Sequence, residues 1–116
     1  MRRFVTAVLP LLLLLALPAA ADEFVAGTED VPLMPGLAPV AGSSVIFDKP
    51  QGRIVQAQAA GKLNRGAVHD FYGKTLPELG WTAAGANAWE REGETLRLEF
   101  KEHGTELTVG FTLAPR

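Results

Sequence analysis

Between Leu96 and Leu113 the apolar residues fall on every second position, a period that no helix can bury on one side. Leu96, Leu98 and Phe100 alternate with Arg97, Glu99 and Lys101, and Leu107, Val109, Phe111 and Leu113 alternate with Thr108, Gly110 and Thr112. Successive side chains on a strand point to opposite faces, so both runs read as strands with one apolar side. A two-residue loop at His103-Gly104 sets the expected register: Phe100 opposite Leu107, Leu98 opposite Val109, Leu96 opposite Phe111, and Lys101 facing Glu106. Histidine tolerates the positive φ such a turn needs better than most residues, which accounts for His103. A similar loop at Glu92-Gly93 pairs Arg91 with Glu94 and brings Trp89 onto the face of Leu96. A three-strand meander is expected.

Upstream of Trp81 the period is 3.6. Val68, Phe71, Tyr72, Leu76 and Leu79 form one stripe of an amphipathic helix that Asn64 can cap at its start. Gly80 falls where a left-handed C-terminal cap belongs, and Pro77 sits in the last turn. Earlier still, Ser44 to Asp48 and Arg53 to Ala59 flank Lys49-Pro50-Gln51-Gly52, a turn sequence that predicts a β-hairpin. Either face of this hairpin could be the buried one, because Val45, Ile46 and Phe47 are all apolar. The fold class expected is therefore α+β: an antiparallel sheet of about five strands in the order β-β-α-β-β-β, with one helix packed on one face.

Residues 22–42 carry Pro32, Pro35 and Pro39 with Gly27, Gly36 and Gly42, too closely spaced for a helix. The stretch should run extended, yet Val31, Leu33, Met34, Leu37 and Val40 make it more apolar than a solvated linker. Two roles fit: an arm packed across its own domain, or an extended docking peptide for a partner. The organisation expected is a leader over 1–21, the arm over 22–42, and a single α+β domain over 43–116.

The leader reading rests on Arg2 and Arg3, an apolar run from Phe4 to Leu17, and small residues at Ala19 and Ala21, with cleavage expected after Ala21. About 14 apolar residues, broken by Pro10, fall short of the roughly 20 that a spanning helix needs. The expected address is the periplasm, with no membrane attachment after cleavage. The sequence contains no cysteine, so neither disulfides nor a lipid-bearing cysteine can contribute. The processed chain would carry nine Lys/Arg against thirteen Asp/Glu, a net charge of −4. Without a basic patch to neutralise phosphates, nucleic acid is not an expected partner.

Residues able to carry chemistry are few. His69 and Asp70 are adjacent, as in metal-dependent hydrolases, but on the helix both point away from the apolar stripe, and only one other histidine exists. Glu90, Glu92, Glu94, Glu99, Glu102 and Glu106 are interleaved with Arg91, Arg97 and Lys101, the pattern of a charge-laced, water-facing sheet surface. Ser43 and Ser44 lack the Gly-x-Ser-x-Gly setting of an activated nucleophile. No catalytic residue, cofactor or metal site is expected.

The segments Glu29-Asp30-Val31-Pro32-Leu33-Met34-Pro35-Gly36-Leu37 and Phe71-Tyr72-Gly73-Lys74-Thr75-Leu76-Pro77-Glu78-Leu79-Gly80-Trp81 resemble a group of small, uncharacterised exported proteins of alphaproteobacteria. That resemblance implies a periplasmic address and brings no activity with it. From the residues themselves, the expected function is that of a non-enzymatic module binding another periplasmic protein through the apolar arm or an open sheet edge. Leu33, Met34, Leu37 and Trp81 are the candidate contact surface. The alternative is a binder of a small apolar or lipid ligand between helix and sheet.

Overall fold

The computed structural model describes residues 23–116; the leader expected over 1–21 lies outside the described residues. The elements in chain order are β1 (Ala38–Pro39), β2 (Val45–Lys49), β3 (Gly52–Gly61), α1 (Arg65–Glu78), β4 (Thr82–Gly85), β5 (Ala88–Arg91), β6 (Glu94–His103) and β7 (Glu106–Pro115). All strand pairs are antiparallel, in the order β1-β3-β7-β6-β5-β4, with β2 beside β1 on the same edge of β3. Among the described residues the class is thus α+β with one helix, and the sheet has seven strands rather than about five. The additional ones are β1, drawn from the arm, and β4, formed where the chain leaves the helix.

Helix α1 begins as its sequence dictates: Asn64 is extended and its Oδ1 accepts from the Ala67 N–H at 2.7 Å. At the other end the Trp81 N–H donates to Leu76 O (3.0 Å) and the Gly80 N–H to Pro77 O (3.1 Å). With Gly80 at φ +92° these two bonds make a Schellman motif, and Trp81 and Leu76 both lie in the buried core. Pro77 has no N–H to offer Gly73 O, and the helix ends within two residues of it, where the cap bonds take over from the i→i−4 ladder. Val68, Tyr72 and Leu76 are wholly buried. Phe71 is half-buried and Leu79 is exposed, so the stripe is narrower than its periodicity implies.

Opposite the helix, Val55, Ala57, Ala59, Leu96, Leu98, Leu107, Val109 and Phe111 form the buried face of the sheet, and Tyr72 meets Phe111 edge-on at 5.6 Å. Gln56, Gln58, Arg97, Glu99 and Lys101 occupy the open face. The β5–β6 register, Arg91 opposite Glu94 and Trp89 opposite Leu96, is the one expected. The β6–β7 register is not: Phe100 lies opposite Val109, Leu98 opposite Phe111, Leu96 opposite Leu113 and Lys101 opposite Thr108. The turn is Gly104-Thr105, closed by His103 opposite Glu106. Gly104 takes the positive φ (+61°) at the first turn position, the requirement of a type II′ turn, and His103 remains in the strand. A slip of two residues preserves which face each side chain occupies, so the apolar pattern alone could not detect it.

The arm does not simply run extended. Residues 23–33 turn back on themselves, with the Val25 N–H donating to Val31 O and the Leu33 N–H to Glu23 O, both at 2.8 Å. Val25, Val31, Leu33 and Leu37 are buried in the same core as the helix. Val25 and Leu33 lie over Ala57 and Ala59, so the small face of β3 receives the arm. The layer above the sheet therefore consists of two neighbours, arm and helix.

Candidate functional site

The seam between arm and helix is held by Tyr72. Its Oη donates to Pro32 O (2.7 Å) and accepts from the Met34 N–H (3.2 Å), so one side chain satisfies two arm backbone groups beside the core. Burial pushes the phenol up to about 12, with the Met34 N–H opposing the shift. At the far end, Asp30 receives both Arg91 Nη1 (2.8 Å) and Nη2 (2.9 Å), and Nη1 also donates to Leu79 O. The Arg91 guanidinium stacks on Trp81, 4.3 Å from the ring centroid. The hydrogen bonds from Arg91 hold the Asp30 carboxyl below the usual carboxylate range.

Outside this seam, facing solvent, lies an apolar groove of about 720 Å³. Leu33, Met34 and Leu37 line it from the arm, and Phe24, Phe71, Thr75 and Leu79 complete it, with Glu23 and Asp30 on its rim. Phe24 is 46% exposed and Leu79 37% exposed, large apolar surfaces kept in water within one concavity.

Of the residues singled out from sequence, Leu33 and Leu37 are buried core residues that show only an edge to this groove, and Met34 is half-buried in its wall. Trp81 does not join them: it is 3% exposed, covered by Arg91. The space between helix and sheet is filled by Val68, Tyr72 and Leu76, so the open apolar volume lies between helix and arm instead. Phe24 was not among the sequence candidates; an aromatic just ahead of a turn in a proline-rich arm carries no periodic signal. Arg91 and Asp30 were missed as a pair because they are 61 residues apart.

His69 is exposed, with Nε2 3.0 Å from Ala86 O and Nδ1 3.9 Å from Asp70. His103 ends β6 in solvent. The glutamates of the meander are dispersed, Glu102 reaching Arg65 (3.3 Å) and Glu90 reaching Arg116 (3.7 Å). Among the described residues no three His, Asp or Glu side chains stand together as a metal site would require, and no helix is long and apolar enough to cross a membrane. No family model, curated protein or solved structure matches this chain.

Proposed function

We propose that this protein is an exported, periplasmic, non-enzymatic module that binds an apolar segment of another protein in the groove between arm and helix. The observation that carries this reading is the groove itself. Phe24, Met34, Phe71 and Leu79 converge on one open concavity, and a folded chain gains nothing from keeping such surface in water unless something covers it. Its wall is anchored rather than loose, because Tyr72 ties Pro32 and Met34 to the helix and Arg91 ties Asp30 to the sheet. A preorganised site loses little entropy on binding. Periplasmic export is supported by the leader signature at residues 1–21 and by the resemblance to exported alphaproteobacterial proteins.

A photo-crosslinking residue placed at Phe24 is expected to capture a discrete protein in cells, and one placed at Lys101 on the opposite sheet face is not. Equal capture from both positions, or capture from neither, would sink the reading. A small apolar or lipid ligand is the second reading, favoured by the volume of the groove, which falls within the roughly 300–1,000 Å³ of ligand pockets. Native mass spectrometry of the gently purified protein would show that ligand as a fixed mass increment, lost on Leu79→Asp.

A further inference from the structure

The two edges of the sheet are finished differently. At one end β4 is short, its pairing with β5 shifts register between Ala83 and Gly85, and its residues are small or polar. A strand so interrupted is a poor template for another. At the other end β2 has no neighbour on its outer side among the described residues, and it presents Val45, Ile46 and Phe47 at 40–48% exposure. Three consecutive bulky apolar side chains on a bare strand edge are what soluble proteins ordinarily avoid.

The hydrogen-bonding sense of that edge follows from β3. Gln58 directs both backbone groups towards the β1–β2 side, its N–H to Ser43 Oγ (3.0 Å) and its C=O to the Val40 N–H (2.9 Å). Alternation along an antiparallel pair then commits Gln56, Ile54 and Gly52 to bond Val45, Phe47 and Lys49, their partners in register. The N–H and C=O of Ile46 and Asp48 consequently point outward, away from β3.

We infer that β2 is the contact surface for a second copy of this chain, paired antiparallel about a two-fold axis through Ile46. In that register Ile46 meets its own copy with outward groups facing outward groups, Val45 lies opposite Phe47, and Ser44 lies opposite Asp48. Every apolar residue then faces an apolar one, no like charges are opposed, and Asp48 faces a hydroxyl. Moving the axis to Phe47 would set Ile46 against Asp48, which removes this match. The pairing joins two seven-stranded sheets into one and covers Phe47 and Val45 on the open face beside Ile54. The contact is small compared with the roughly 1,200 Å² or more of stable complexes, so the dimer is a weak one.

Sedimentation of the protein as the cell produces it, from about 1 µM to 1 mM, is expected to show a reversible monomer–dimer equilibrium. Ser44→Asp sets carboxylates opposite one another and should weaken dimerisation about three- to tenfold, and Ser44→Lys should strengthen it similarly. Ser44 and Asp48 are exposed in one copy, so neither change threatens the fold. As the chain has no other cysteine, Ile46→Cys should form a disulfide-linked dimer on mild oxidation. A monomer at every concentration, or Ser44 variants with unchanged dimerisation, would overturn the inference. Groove variants such as Leu79→Asp should leave sedimentation unaltered, so this inference and the function proposed for the groove fail independently.

Discussion

At the scale of single residues, Tyr72 carries more than its ring. Tyr72→Phe keeps the packing against Phe111 but leaves Pro32 O and the Met34 N–H unpaired beside the core, so urea unfolding should show a loss of about 1–3 kcal/mol. The same residue sets an alkaline limit. Its folded pKa stands near 12 against an ordinary 10.0, so the stability it contributes is whole below pH 10 and declines as pH rises towards 12, because only the unfolded chain then ionises. Tyr72→Phe should remove that part of the alkaline decline. Asp30 works in the opposite sense: its folded pKa is depressed below 3.8 by Arg91, so its contribution is present above that value and is lost as pH falls through the folded pKa. The pair is partly exposed, which holds this contribution under about 1 kcal/mol. Asp30→Asn should flatten the acid limb by that amount, and Arg91→Lys should not preserve it, since lysine can neither grip both carboxylate oxygens nor stack flat on Trp81.

At the scale of elements, Gly73 and Gly80, one inside the helix and one just past its end, should respond to alanine with opposite signs. Gly73 lies in the helix interior, and beyond its chain neighbours and the helix's own nearby backbone nothing stands within 4 Å of where a Cβ would be, so Gly73→Ala should raise stability by about 0.5–1 kcal/mol. Gly80 holds the left-handed position of the Schellman cap, and Gly80→Ala should cost about 1–2 kcal/mol. Parallel urea titrations of the two variants check both signs. The strand–turn elements show what local pattern can and cannot specify. Alternation assigned the residues from Leu96 to Lys101 and from Leu107 to Leu113 to their faces, and the Glu92-Gly93 turn set the β5–β6 register as expected. The pairing of β6 with β7 lies two residues from the expected one, because Gly104 can open the turn as well as close it and both registers bury the same face.

At the scale of the whole molecule, the arm is part of the core and not an appendage. Its route depends on Gly61 at the end of β3, where a Cβ would overlap the carbonyl oxygen of Gly36 in the arm. Gly61→Ala should therefore lift the arm off the sheet. The expected result is a loss of several kcal/mol, with protease cleavage within residues 34–37 at concentrations that leave the native protein intact. For the same reason the groove is not removable by truncation. Val25, Val31, Leu33 and Leu37 would leave the core with the arm, so the groove must be probed by point changes on its exposed rim.

What the sequence determined alone was whatever depends on neighbours along the chain: the helix between Asn64 and Gly80, the hairpin about Pro50, the alternation of β6 and β7, and the two tight turns as locations. Those features follow from side-chain period, capping chemistry and backbone preference, all of which act within a few residues. Tertiary structure alone decided that Ile46 and Phe47 stay exposed, that the arm folds back to cover Ala57 and Ala59, and that Trp81 lies under Arg91. It likewise brought Phe24, from the start of the arm, beside Leu79, from the end of the helix, to make the groove. The physical reason is that an apolar side chain states only that it gains by leaving water. Which surface it leaves water against is settled by shape and by long-range pairs such as Asp30 with Arg91 and Tyr72 with Pro32, which leave no periodic trace in the chain.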